Sequence, residues 1–257
     1  MRILVANANT SEEVTATIVA EAERFAGAGT TIRGANGRFG ARVVGTRTET
    51  VIAAHALVDL LAEEAADVDA VLVGMSFDAG LWAARELLDI PVLGMTEAAL
   101  LTACTVAPRF GLAVIGGRNA QTTRELVASY GLTGRMAGLT VLDATPQDLL
   151  ADREAFLRPL VEDVARLAEE DGAEAVVLVG AVMADIPRLV QERCTVPLIE
   201  GISAGIVMLE GLIRLGLPKA GTGSLAPFAG RPSIGLRPPL AERLAGVSRS
   251  GQTEGPA

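Results

Sequence analysis

The sequence predicts an α/β fold of two pseudo-symmetric lobes, each a parallel sheet flanked by helices. Three observations carry this expectation. Short runs rich in Val, Leu and Ile alternate with helix-length runs along the chain, the pattern of strands joined by crossover helices. The segment Val71-Leu72-Val73-Gly74 with Pro91-Val92-Leu93-Gly94 returns as Val177-Leu178-Val179-Gly180 with Pro197-Leu198-Ile199-Glu200, each part 106 residues on. A repeat of that length describes a lobe, not a solenoid unit. Half of the 257 residues are apolar, yet only six Phe, one Tyr and one Trp are present, so the core must be aliphatic, as in parallel strands covered on both faces.

Taken in order, Arg2–Ala6 reads as the first strand and Ser11–Phe25 as its helix. Thr10 and Glu13 have capping-box spacing and predict a helix start right after the loop Asn7-Ala8-Asn9. Thr30–Arg33 is the second strand and Thr48–Ala65 a long helix. Ala70–Gly74, Val92–Gly94 and Leu112–Ile115 follow as strands, with helices over Leu81–Leu88, Glu97–Val106 and Thr122–Tyr130. The second half repeats the plan: strand Thr140–Leu142, helix Leu149–Glu170, strand Ala175–Val179, a helix from Asp185, strand Pro197–Ile199 and helix Ser203–Leu215. The first lobe is expected over residues 1–105, joined by the last helix (206–217), and the second over 106–205. A Gly/Pro/Ser-rich extension then covers 218–245, and residues 246–257 lack apolar pattern, as a disordered tail does.

Composition narrows the function. A net charge of −9, spread over helix faces such as Glu169-Glu170-Asp171, with no basic stripe and few rings, argues against a nucleic-acid partner. No run reaches bilayer length and no secretory segment is visible, so no membrane partner and a cytoplasmic address are expected. Cys104 and Cys194 have neither disulfide-framework nor metal-ligand spacing, and His55 is the single histidine. That inventory speaks against a metal site or a Ser-His-Asp triad, and no metal or cofactor is expected.

Ligands of parallel sheets sit beyond the strand C-termini, so the loops there hold the candidates. Asn7-Ala8-Asn9-Thr10 offers amides and a hydroxyl beside a helix N-terminus, able to cap the helix or to hold a carboxylate or carbonyl oxygen. Gly74-Met75-Ser76-Phe77-Asp78 exposes N–H groups, a hydroxyl and a carboxylate together, unless Asp78 is simply a cap. Thr96 and Glu97 follow the next strand, where they can cap a helix and favour its dipole or face a ligand. In the second half Gly117, the run Gly180-Ala181-Val182-Met183 with Asp185, and Ser203 occupy the corresponding places. Ser76 there aligns with Val182, so the two halves are chemically unequal.

These loops resemble the aspartate/glutamate racemase superfamily, and within it the hydantoin and allantoin racemases. Asn7-Ala8-Asn9-Thr10-Ser11 is similar to the family's N-P-N-T-S, Asp78-Ala79-Gly80-Leu81 to D-P-G-L, and Pro91 to Ala99 to P-V-x-G-I-x-E-A-A. Further likeness lies in Ala83-Ala84-Arg85-Glu86, Arg109-Phe110, Met183-Ala184-Asp185 and Pro197 to Ala204, so the resemblance spans Met1 to Pro227. It implies a two-lobed fold, a homo-oligomer, and a small-molecule substrate (a carboxylate or cyclic amide) between the lobes. It also implies a pair of cysteines working on opposite faces of a carbon acid. Where the family carries them, this chain has Met75 and Gly180. The expectation is therefore cofactor-independent isomerase-type proton transfer without the cysteine pair. Ser76, Asp78, Glu97 and Asp185 are the catalytic candidates; Asn7, Asn9, Thr10, Met75, Phe77, Thr96, Gly117, Gly180, Ala181, Val182, Met183 and Ser203 are candidates for binding. Two alternatives stay open: a lyase, since Ser76-Phe77-x-x-Gly80 is similar to the S-F-x-x-G of arylmalonate decarboxylases, and a non-catalytic binding protein.

Overall fold

A computed structural model describes residues 1–143, 153–226 and 230–246. Within them lie β1 (Arg2–Asn7), α1 (Glu12–Phe25), β2 (Thr31–Asn36), α2 (Arg47–Glu64), β3 (Ala70–Val73), α3 (Leu81–Leu87), β4 (Val92–Gly94) and α4 (Met95–Val106). The same plan follows in β5 (Phe110–Ile115), α5 (Gly117–Ser129), β6 (Met136–Leu142), α6 (Arg153–Glu169), β7 (Ala175–Val179), α7 (Ile186–Val190), β8 (Leu198–Ile199) and α8 (Gly201–Leu215), before a short α9 (Pro238–Leu244). The expected helix start at Leu149 and residues 247–257 of the tail expected over 246–257 lie outside the described residues, while Gly246 donates to the Arg243 carbonyl (3.1 Å).

Two four-stranded, wholly parallel sheets share one order, β2-β1-β3-β4 and β6-β5-β7-β8. Register is shared too: Val5 pairs with Leu72 as Ala113 pairs with Leu178. The inner strands β3 and β7 are buried along their whole length, which is why they read as unbroken apolar runs. The edge strands β2 and β6 extend further than their composition suggested, to Asn36 and back to Met136. Each is held by the neighbouring β1 or β5 along its length, so pairing overrides weak propensity.

Local starts differ in the same way. Thr10 does not cap α1. Its N–H is taken by the Ala41 carbonyl (3.2 Å), and Ser11, one residue on, accepts from Val14 N–H as the N-cap. Helices α4 and α5 begin at Met95 and Gly117, directly off their strands, earlier than their apolar periodicity indicates.

Packing exchanges two helices. Helices α2 and α3 cover one face of the first sheet through Leu57, Leu61, Leu81 and Ala84. Its other face carries α1 and, from the far end of the chain, α8: Ile202, Ile206 and Leu209 join Ile3, Val5, Ile18 and Leu72. Helix α4 does the converse, packing Ala99, Leu100 and Ala103 against Phe110, Leu112 and Val177 of the second sheet. The C-terminal segment is pinned to α2, with Leu240 buried and Arg237 donating to Asp59 and Glu63, both at 2.9 Å. Among the described residues no helix is long and apolar enough to cross a membrane.

The starts of α4 and α8 meet where the exchange occurs. A Cβ on Gly201 would lie 2.0 Å from the Met95 carbonyl oxygen, so only hydrogen fits. Gly201→Ala is expected to destabilise the fold by about 3 kcal/mol through overpacking. In a chain of this size that lowers the thermal midpoint by roughly 6–12 °C in a calorimetric melt.

Candidate active site

A cavity of about 170 Å³ opens beyond the C-terminal ends of the strands, between the two sheets. The first half contributes Asn9 and Val14 around the α1 start, Arg42-Val43-Val44-Gly45 from the loop before α2, and Gly74-Met75-Ser76-Phe77 from the loop after β3. The second half contributes Val114 and Ile115 at the end of β5, Asn119 and Thr123 on α5, and Val179-Gly180-Ala181-Val182 leaving β7. Most of this wall is apolar, as in a pocket that desolvates a small ligand and orients it with few polar groups.

Those few are specific. Fully buried Asn7 lies behind the wall; its Nδ2 donates to Asn9 Oδ1 (2.9 Å) and Thr15 Oγ1 (2.9 Å), and its Oδ1 accepts from Asn9 N–H (3.2 Å). Asn9 Oδ1 also accepts from Ser11 N–H (2.9 Å), so both bonds of that amide are made through oxygen. This leaves Asn9 Nδ2 as a donor for the cavity. Across from it, Asn119 Nδ2 donates to the Ile115 carbonyl (2.8 Å), leaving Asn119 Oδ1 as an acceptor. Ser76 contributes a hydroxyl at the wall, and Arg42 stands exposed at the rim without an ion-pair partner among the described residues. No carboxylate, thiol or imidazole lines the cavity among the described residues.

The carboxylates picked from sequence are engaged elsewhere. Buried Asp78 accepts from the backbone N–H groups of Thr96 (3.1 Å) and Glu97 (2.8 Å), in the first turn of α4, and from the Tyr130 hydroxyl (2.7 Å). It thus caps α4 from a distance and ties it to the turn after α5. Desolvation pushes its carboxyl up to about 7 against the pull of those three donors. Burial and the neighbouring Asp78 carboxylate push the Tyr130 phenol upward. Glu97 makes a two-pronged pair with Arg85 (3.0 and 2.5 Å), and Arg85 also donates to the Val92 carbonyl (3.0 Å) and stacks over Trp82. Asp185 pairs with Arg188 (3.6 Å).

The second half solves the capping problem in another way. Gly94, at the α4 N-cap, has no side chain, and the space a Cβ would take lies 2.3 Å from Asp78 Cγ. Its repeat partner, 106 residues on, is Glu200, which caps α8 with its own carboxylate, accepting from Ile202 N–H (2.6 Å) and Ser203 N–H (2.5 Å). The partner of Asp78 is Ala184. One carboxylate per half therefore sits on a buried helix N-terminus, delivered in trans in the first and in cis in the second. Desolvation raises Glu200 to about 7 as well.

Of the expected residues, the cavity gathers Ser76, Asn9, Met75, Phe77, Gly180, Ala181 and Val182. It leaves out Asp78, Glu97 and Asp185, for the reasons above. Asn7 supports Asn9 from behind, and the Thr96 hydroxyl donates to the Ser76 carbonyl (2.6 Å), so both hold the site without facing it. Thr10, Gly117, Met183 and Ser203 also lie off the cavity wall, with Met183 fully buried under Gly180. Cys104 and Cys194 are half-buried at the edges of the second-sheet cores and do not line the cavity. Sequence reasoning missed Arg42 to Gly45, which have no repeat partner or pattern, and also Asn119 and Thr123. The i, i+4 spacing of the last two on an N-terminal helix turn was the available signal.

The sequence profile of the Asp/Glu/Hydantoin racemase family matches residues 3–209. A hydantoin racemase from Paenarthrobacter aurescens is 32% identical over 218 residues, covering 84% of this chain and 92% of that protein. The structure of an allantoin racemase from Klebsiella pneumoniae superposes with a TM-score of 0.88 at 32% identity, covering 93% of this chain and 98% of that one. Arylmalonate decarboxylase, at 18% identity and a TM-score of 0.57, shares the fold.

The two helix-capping carboxylates set a pH dependence. Both bind protons more tightly folded, at about 7, than unfolded, near 4. The unfolded state therefore holds fewer protons between those values, and stability falls as pH rises from 5 to 8. At pH 5, where Asp78 is protonated and carries one acceptor oxygen and one O–H as an amide carries one oxygen and one NH2, Asp78→Asn is expected to cost less than about 1 kcal/mol. It also flattens part of the pH 5 to 8 slope, which urea unfolding at a series of pH values reads directly.

Proposed function

The chain belongs to the Asp/Glu/Hydantoin racemase family, and from that premise we propose that it inverts the stereocentre of a small cyclic amide by proton exchange that runs without a protein thiol. One observation carries the reading: apart from the exposed Arg42, the polar side chains that line the cavity are neutral amides and hydroxyls, Asn9, Ser76, Asn119 and Thr123. Such a set complements the N–H and C=O groups of a ring amide. A zwitterionic amino acid would need an interior carboxylate for its ammonium group.

In this reading the ring lies between the two strand-end loops, with its stereocentre between Met75 and Gly180, where the family resemblance puts thiols. Asn9 Nδ2 and the Ser76 hydroxyl donate to the ring carbonyl next to the stereocentre. Solvent hydroxide takes the C–H proton and becomes water, and the electron pair moves onto that carbonyl oxygen. The two donors then stabilise the oxygen more strongly than in the ground state, which is what lowers the barrier. Water returns a proton to either face and regenerates hydroxide. The apolar wall strengthens these bonds by excluding bulk solvent, and Arg42 at the rim adds a favourable field for the anion.

A single enantiomer of a 5-substituted hydantoin, followed by polarimetry and by NMR in D2O, tests this. The expected outcome is loss of rotation together with deuterium uptake at the stereocentre, with a rate rising about tenfold per pH unit as hydroxide does. A plateau above pH 7 would instead assign the proton transfer to a titrating protein group and overturn the hydroxide route. Carbon dioxide release would make the protein a lyase, and binding without exchange would make it a binding protein. Cys104→Ala with Cys194→Ala is expected to leave the rate unchanged. Met75→Cys with Gly180→Cys, which supplies a base on each face, is expected to raise it on the order of 100-fold.

A further inference from the structure

The connection from β2 to α2 runs over residues 37–46, and its last part, Arg42 to Gly45, forms one side of the cavity wall. A strand-to-helix connection ordinarily takes about two to six residues, so this one is longer than joining requires. Its base is fixed to the first half. Gly37 N–H donates to the Asn7 carbonyl (2.8 Å), Thr10 N–H donates to the Ala41 carbonyl (3.2 Å), and the Phe39 ring meets His55 edge-on (5.0 Å between centroids). From Arg42 onward the packing is loose. Arg42 and Val43 are exposed, and a Cβ on Gly45 would meet nothing within 4 Å. Gly45 is held by the Glu49 carboxylate, which accepts from the N–H groups of Gly45 and Thr46, both at 2.9 Å.

The first turn of α2, which carries Glu49, faces the other half. Arg47 donates to Glu125 Oε1 on α5 (2.8 Å), and Gln121 Nε2 donates to the same oxygen (3.2 Å). The Glu49 carboxyl is held below its ordinary range chiefly by the Gly45 N–H and by Thr46, with the charge of Arg118 on α5 acting in the same direction. Arg118, Gln121 and Glu125 recur at helical spacing, in a stripe beside Asn119 and Thr123, which line the cavity. Two charge pairs of opposite sense therefore cross between the halves next to the cavity: Arg47 with Glu125, and Glu49 with Arg118.

We propose that these four residues form a latch, and that residues 42–46 with the first turn of α2 are a lid that releases from α5 to let a ligand pass. Gly40, at φ +109°, and Gly45 are the points about which the segment turns. Solvated ion pairs of this kind are individually weak and are screened by salt, which suits a contact broken at every passage. The latch governs access to the cavity and is independent of which ligand the cavity takes.

Hydrogen exchange on the ligand-free, full-length protein tests it, read at the Gly45 and Thr46 amides. Glu125→Arg sets like charges against Arg47 from the other half and is expected to speed exchange at those two amides about fivefold. Arg47→Glu is expected to do the same, and the two reversals together to bring exchange back to within about twofold of wild type. Sodium chloride at about 0.5 M is expected to speed exchange in the wild type more than in Glu125→Gln, where the main pair is already gone. The α2 amides of residues 57–61 keep their wild-type protection throughout. The proposal is overturned if Glu125→Arg leaves Gly45 and Thr46 unchanged, or if the double reversal exchanges as fast as the single ones. It is equally overturned if residues 57–61 accelerate alike, since the pair would then stabilise the helix and not the lid. None of these outcomes bears on the cyclic-amide reading.

Discussion

Each half of the molecule depends on a carboxylate seated on the N-terminus of a buried helix. Helices α4 and α8 begin directly at strand ends, inside the protein, where their first N–H groups have no water to turn to. Asp78 serves α4 and Glu200 serves α8, and the residues complementary to them, Gly94 and Ala184, have no carboxylate. The space for one carboxylate is conserved by geometry while its origin in the chain is exchanged. Asp78 also receives the Tyr130 hydroxyl, so the capping group of a first-half helix is fixed to the turn that follows α5.

This anchorage matters for the cavity because α4 and α8 are the helices that change sides. Each leaves one sheet and packs on the other, which fixes the distance between the strand ends on which the pocket is built. The carboxylates that make the crossing possible are consumed by it. Asp78 and Glu200 face helix ends and Glu97 faces Arg85, leaving the pocket with amides, hydroxyls and the exposed Arg42.

Much of the fold was legible in the sequence, and the reasons are local. The apolar runs 71–73 and 177–179 read as buried strands because helices cover both faces, and the 106-residue offset marked their equivalence. The strand-end loops were legible for the same reason, and Asn9, Met75, Ser76 and Gly180, which they carry, line the cavity. The roles of Asp78 and Glu97 were not legible. A carboxylate at a strand end has the same spelling whether it points at a ligand or at the next helix. What separates the two here is that Gly94 leaves room for Asp78 and that Arg85, one helix away, meets Glu97. The pocket wall from Arg42 to Gly45 carries no periodicity at all, and only its path back over the first sheet brings it to the site.

The sequence by itself determined the two-lobed parallel architecture, the family likeness and the aliphatic core, since all three follow from side-chain pattern along the chain. Tertiary structure alone decided that the helices after β4 and β8 trade sheets and that the acidic residues cap those helices. Those outcomes depend on which groups meet across distances of many residues, where desolvation makes every unpaired donor or acceptor costly.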